Sequence, residues 1–201
     1  MSFFENTWLY AIKLLNSPMY QLYSSSKLAE SRVRTMNEQQ INQNGNFILY
    51  WMTSCRRFAF NASLQHAISL SNMLKKPVLV VEAVSITHKF ANDRILSFMV
   101  QGIMDNINDF NENSISYIPW VEIKQKAGSK MLAALAEQSC CVVIDDYPTY
   151  TPSKIRDAAA KNLKIRVDAV DSNGIFPMKW AEKEFTTAYS CLLYTSDAAD
   201  E

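Results

Sequence analysis

The sequence predicts an α/β fold, a doubly wound, mainly parallel five-stranded sheet with flanking helices. Five short apolar runs rich in β-branched and aromatic residues recur, at 47–52, 78–83, 114–121, 140–144 and 165–170. The strongest of them are continuously apolar rather than alternating, as in strands buried on both faces. Helical periodicity separates them, so each strand reaches the next through a crossover, and crossovers of this kind make parallel sheets.

The elements follow in order. Phe4, Trp8, Ile12 and Leu15 recur at helical spacing. With a second helical stretch over 19–33, they predict an amino-terminal helical extension over residues 1–31. Residues 37–46, rich in Asn and Gln and containing Gly45, read as the loop into the first strand. That strand, Phe47 to Met52, stops at Thr53-Ser54-Cys55-Arg56-Arg57. A helix from Arg56 to Lys75 turns Leu64, Ala67, Ile68 and Met73 inward, and Pro77 opens the second strand. A long helix over 92–110 carries the stripe Ile95, Phe98, Met99, Ile103, Ile107 and Phe110. A short helix over 130–138 buries Met131, Leu132 and Leu135. Thr151-Pro152 predicts a helix start, with a hydroxyl at the cap and proline at the first helical position, running to about Leu163. No linker or repeat divides residues 32–190, so they form one domain.

Composition bounds the function. The chain has 201 residues, 48% hydrophobic and 20% charged, which suits a globular domain with a full core. No apolar run approaches the roughly 18 residues of a membrane helix. Glu5 and Lys13 interrupt the amino-terminal apolar residues, which argues against a secretory signal. Four scattered cysteines make no disulfide framework. Cys140 and Cys141, adjacent in a strand, are expected to face opposite sides as reduced thiols of a cytoplasmic protein.

Residues 191–201, Cys-Leu-Leu-Tyr-Thr-Ser-Asp-Ala-Ala-Asp-Glu, resemble a translated sequencing-library adapter. The natural sequence is therefore expected to end near Ser190, as a fragment of a longer protein. The whole chain has 20 basic and 20 acidic residues; without Asp197, Asp200 and Glu201 the balance is +3. That small surplus is no footprint for nucleic acid.

Absences narrow the chemistry further. The four glycines build neither a G-x-G-x-x-G nor a P-loop. His66 and His88 lack metal-type spacing, and no G-x-S-x-G or His–Cys pairing offers a nucleophile. The candidate site is then the carboxyl edge of the sheet, where open α/β sheets bind small ligands. Trp51, Met52 and Arg56 lie there after the first strand, Glu82 at the second, and Asp145 and Asp146 at the fourth. Asp171-Ser172-Asn173 follows the fifth. The same residues also have plain structural roles open to them, the aspartates as turn caps and the arginines as solvated helix residues.

Several segments together resemble the amino-terminal α/β domain of the DNA photolyases, most closely the class II and related microbial branches. They are Arg32-Val33-Arg34, Ile48-Leu49-Tyr50-Trp51-Met52 with Arg56 and Asn61, Asn72, and Pro77-Val78-Leu79-Val80. Ala91-Asn92-Asp93-Arg94 with Phe98-Met99 and Gly102, Val142-Val143-Ile144-Asp145-Asp146-Tyr147-Pro148, and Val170-Asp171-Ser172-Asn173-Gly174-Ile175-Phe176-Pro177 complete the order. The resemblance spans residues 32–190 as an antenna domain, and Phe185 to Ser190 look like the approach to a following helical domain. It implies that the full-length parent is a flavoprotein lyase that binds damaged DNA and repairs cyclobutane pyrimidine dimers with blue light. FAD would sit in the missing helical domain. An antenna chromophore of deazaflavin or folate type would sit in the present one, at Trp51, Met52, Arg56, Glu82, Asp145 and Asp146. This fragment alone is then expected to be inactive, and Trp8, Trp51, Trp120 and Trp180 are not its electron relay. Thr87-His88-Lys89-Phe90 departs from the more acidic or proline-containing loop of relatives. Two other readings share the architecture: a cryptochrome-like photoreceptor, and a free-standing nucleotide-binding module of the kind seen in stress proteins.

Overall fold

In the computed structural model, residues 27–124, 127–181, 183–190 and 192 are described. The expected helix over 4–15 and all but Leu192 of the adapter-like stretch lie outside them. In chain order the elements are α1 (Lys27–Arg32), β1 (Val33–Thr35), β2 (Phe47–Met52), α2 (Ala62–Leu74), β3 (Val78–Ser85) and α3 (Asp93–Glu112). There follow β4 (Ser116–Glu122), α4 (Ala127–Gln138), β5 (Ser139–Asp145), α5 (Tyr150–Asn162), β6 (Val167–Val170) and a 3-10 turn (Met178–Trp180).

The strands form one sheet in the order β1-β6-β5-β2-β3-β4. From β2 to β6 every pairing is parallel, as the apolar runs predict. The expected count of five is corrected to six. The helix expected to reach Val33 stops at Arg32, and Val33–Thr35 pairs antiparallel with β6. Only three residues long and partly exposed, β1 has no periodic signal of its own; its pairing is supplied by β6.

The sheet separates two apolar layers. On one face Leu64, Ala67 and Ile68 of α2 and Phe110 of α3 pack on Ile48, Tyr50, Met52 and Val80. On the other, Leu132 and Ala136 of α4 and Ala159 of α5 cover Leu49, Trp51, Val142 and Ile144. Helices on both faces define the doubly wound class.

The starts of α2 and α3 follow side-chain caps. α2 begins at Ala62, not Arg56, because the Asn61 side chain accepts the Leu64 N–H at 2.9 Å. The Asn61 amide also donates to the carbonyls of Cys55 and Arg57, which holds residues 55–60 as a loop. α3 begins after Asn92, which caps Ile95 at 3.0 Å. α5 begins at Tyr150 instead of Thr151-Pro152, so Pro152 falls in the first turn, where a missing N–H is tolerated. The stripe on α3 is buried only at its carboxyl half: Ile103 and Phe110 are core residues, whereas Ile95 and Phe98 are exposed. Met73, expected inward on α2, is likewise exposed.

Cys140 and Cys141 do not face opposite sides. The β2–β5 register shifts between Phe47 and Ile48, which pair with Ser139 and Cys141. Cys140 is left unpaired, and both thiols join the same core cluster. The preceding loop locks onto this bulge, with the Asn42 N–H donating to the Cys140 carbonyl at 2.9 Å and the Asn46 N–H to Gln138 at 2.8 Å. Gly45 makes that approach possible, since a Cβ there would lie 2.4 Å from the backbone nitrogen of Cys140. Gly45→Ala should therefore destabilise the fold by about 1–3 kcal/mol, the usual scale of forced overpacking. Urea denaturation checks this, and an unchanged midpoint would show that the loop can move away.

Candidate functional site

The chain moves outward from β2 through β3 to β4 and then crosses back to β5 and β6 on the other side of β2, so the strand order reverses between β2 and β5. The crevice between the ends of β2 and β5 is the switch point of the sheet. Asp145 ends β5 there and is 2% exposed. Its Oδ2 accepts the backbone N–H groups of Thr53, Ser54 and Cys55 at 2.9, 2.7 and 2.8 Å. Its Oδ1 accepts the hydroxyls of Tyr50 at 2.8 Å and Ser63 at 2.7 Å. Five donors occupy both oxygens of one carboxylate. Burial, and then Asp145 itself, push the Tyr50 phenol well above its ordinary value, so it stays a neutral donor.

The loop so fixed presents Arg56 to β3. Its guanidinium donates to Glu82 at 2.9 Å and to the Ala83 carbonyl at 2.8 Å. Glu82 is 1% exposed and also accepts from Asn106 at 2.8 Å and from the Tyr117 hydroxyl at 2.6 Å. Burial and the Glu82 carboxylate raise the Tyr117 phenol, which remains a donor. The buried Glu82 carboxylate is thus paired with the half-buried Arg56 guanidinium and has its remaining lone pairs filled, the condition under which a buried charge is tolerated.

Beside this loop lies a cavity of about 390 Å³ between the β2–β3 ends and the facing sides of α4 and α5. That size is within the roughly 300–1,000 Å³ of small-molecule sites. Trp51, Thr53, Arg56 and Ala83 form its sheet side; Gly128, Leu132, Ala133, Ile155 and Ala158 are among its helical walls. Glu122 closes one end by accepting the Gly128 N–H at 2.9 Å at the start of α4. The Trp51 indole nitrogen and the Thr53 hydroxyl are buried without a hydrogen-bond partner. Unsatisfied polar atoms are uncommon in native cores and stand out beside a cavity.

The six candidate residues thus share one edge but divide by role. Trp51 and Arg56 line the cavity. Glu82 holds Arg56, and Asp145 holds the loop. Met52 is fully buried in the opposite core layer. Asp146 lies toward β1, where it binds Arg34 at 3.0 Å and Arg156. The helical walls escaped the sequence reading because Gly128, Ala133 and Ala158 carry no chemistry. Their one signal is a run of small residues on α4 and α5. Among the described residues no group of His, Cys, Asp and Glu has the arrangement of a metal site. Burial raises the thiols of Cys55 to about 11 and Cys141 to about 12, which keeps them neutral and unreactive.

His66 belongs to another cluster. Its Nε2 lies 3.0 Å from Asp168, which is fully buried and also bound by Arg166 and Thr35, each at 2.9 Å. Burial alone would raise the Asp168 carboxyl; the hydrogen bonds from His66 and Arg166 outweigh it and hold the group below its ordinary value.

The fold and this edge define a doubly wound α/β domain with a ligand-sized cavity beside its switch point. The chain is a distant homologue of the deoxyribodipyrimidine photo-lyases, matching their amino-terminal region. It is 28% identical over 150 residues to the deoxyribodipyrimidine photo-lyase of Methanothermobacter thermautotrophicus, covering 75% of this chain and 33% of that protein. With that of Arabidopsis thaliana the identity is 24% over 164 residues, covering 79% and 32%. The chain therefore spans about a third of the length of the curated relatives it matches. No protein-family profile matches it. Among solved structures it is similar to a universal stress protein of Pseudomonas aeruginosa UCBPP-PA14, with a TM-score of 0.50 and 12% identity, covering 78% of this chain and 60% of that one. A protein of unknown function from Pseudomonas aeruginosa PAO1 has the same score and identity, covering 78% and 59%. These likenesses establish the fold alone.

Two outcomes follow from the buried carboxylates. Asp145→Asn replaces an acceptor with an amide while three backbone donors still point at it, and should cost about 3 kcal/mol or more in chemical denaturation. A loss of under half that would mean the 53–55 loop can satisfy its donors elsewhere. For Asp168 the folded carboxyl is the stronger acid, so on acidification the unfolded state takes up its proton first. Its contribution is full above the ordinary carboxylate range and disappears as pH falls through that range to the folded value. The stability gap between the protein and Asp168→Asn should shrink in acid; a gap independent of pH would contradict this.

Proposed function

We propose that this chain is the amino-terminal α/β part of a deoxyribodipyrimidine photo-lyase whose full-length form repairs cyclobutane pyrimidine dimers in DNA with blue light. The observation that supports this best is the homology, which runs across three-quarters of the chain. In this reading FAD and the dimer-binding pocket belong to the part of the relatives that this chain does not span. The chain carries no G-x-G-x-x-G loop of the kind that holds a dinucleotide diphosphate in Rossmann folds. The protein is read as cytoplasmic, in keeping with free, buried thiols at Cys55, Cys140 and Cys141.

An antenna pigment of deazaflavin or folate type fits the cavity beside the switch point. Its apolar walls suit a planar ring system, and two buried polar atoms, on Trp51 and Thr53, await partners. A bound pigment would absorb light and pass the excitation on. Trp51, Thr53 and Arg56 would hold it, while Glu82 and Asp145 position Arg56 and the loop. Asp146 and Met52 are less well placed for contact.

A purified chain titrated with a deazaflavin or a reduced folate should show saturable quenching of tryptophan fluorescence, lost in Ala133→Trp, which fills the cavity. The chain alone should neither retain FAD stoichiometrically nor repair dimers in irradiated DNA, whereas the full-length protein should do both. Light-dependent repair by this chain alone would overturn the reading. A full-length protein that binds flavin and repairs nothing would move it to a photoreceptor.

A further inference from the structure

The carboxyl edge carries a second concavity, of about 700 Å³, that shares no wall residue with the first. Its walls come from β1, the loop after β5, α5 and the 3-10 turn. Four cations, Arg32, Arg34, Arg156 and Lys179, line it against two carboxylates, Asp146 and Asp171.

The carboxylates do not balance the cations. Asp146 alone holds two guanidiniums: Arg34 donates to both of its oxygens, at 3.2 and 3.0 Å, and Arg156 donates to Oδ1. Asp157 also pairs with Arg156, but its side chain is 59% exposed, where water and salt screen it. The oxygens of Asp171 accept the backbone N–H groups of Asn173 and Met178 and the Asn173 amide. It faces the Arg32 guanidinium only at 3.9 Å. Arg32 is 7% exposed; its Nη groups donate to the backbone carbonyls of Asp171, at 3.0 Å, and Ile175, and its Nε is buried with no partner. Lys179 is exposed and forms no ion pair with another described residue.

The geometry points to an anion site here that takes a phosphate group, with Arg34 and Lys179 as its contacts and Arg156 and Arg32 behind them. Asp146 engages Arg34 only through Nη2, which fixes the guanidinium while its Nε and Nη1 keep their donors, and a guanidinium so held matches phosphate oxygens bidentately. Several cations around one concavity favour a multiply charged oxyanion over a single carboxylate. The volume exceeds that of a bare phosphate, so the group arrives on a larger body, either a free nucleotide or a nucleic-acid backbone.

Calorimetric titration of the full chain with pyrophosphate, adenosine diphosphate and a short single-stranded oligonucleotide tests this. Binding should be saturable and weaken with salt. Lys179→Glu and Arg34→Ala should each weaken it about tenfold or more, the scale of a lost charged hydrogen bond. Lys124→Glu, at the far edge of the sheet, should leave it unchanged. Preference for the diphosphate would assign a free nucleotide, and preference for the oligonucleotide a nucleic-acid backbone. Lys179→Glu alters only an exposed side chain, so it keeps the test open if Arg34→Ala unfolds β1. Absence of saturable binding for all three probes, or binding indifferent to both substitutions, would overturn the proposal.

Discussion

The carboxylate of Asp145 is the constraint on which the ligand edge depends. At a switch point two strand ends splay apart, and the loop leaving β2 has backbone donors with no strand to receive them. One buried anion collects three of these donors and two hydroxyls. That sets the path of residues 53–55, which sets Arg56, which in turn accompanies Glu82 into the interior. Charge-assisted bonds in a low-dielectric site are strong when complete and costly when broken. The edge is therefore rigid at its centre, and its concavities open to either side of Asp145.

Those two sides differ in kind. Toward α4 the walls are mostly small or apolar, and two of their polar atoms, on Trp51 and Thr53, are buried without a partner. Toward β1 the walls are cationic, held apart by shared carboxylates. Asp145 and Asp146, adjacent in sequence, serve opposite sides of this divide. The alternation of a strand end sends one inward to the β2 loop and the other to the arginines. A domain built this way has one surface suited to an aromatic body and another suited to a charged one.

Much of the sheet was legible in the sequence because its strands are buried on both faces and read as unbroken apolar runs. β1 was not legible, since three residues at an edge owe their extended form to β6. The start of α2 was misread because the Asn61 side-chain cap decides it, whereas α3 begins as expected, just after its cap Asn92. The apolar stripe of α3 was legible as a helix but not as a burial pattern, because periodicity cannot say how far a helix overlaps its sheet. At the site, Trp51 and Arg56 could be found because they sit at a strand end. The part played by Asp145 could not, since three of its five donors are backbone groups about ninety residues away, which have no side-chain signature.

The short antiparallel β1 has a further effect. A parallel sheet ends in two rows of unpaired backbone groups, each a template for another chain. β1 covers the β6 side and is itself only three residues long, with its middle residue the arginine Arg34. On the opposite side β4 carries Pro119, exposed and lacking an N–H, in the centre of the strand. A charge at one margin and a missing donor at the other disfavour extension of the sheet into a neighbouring molecule.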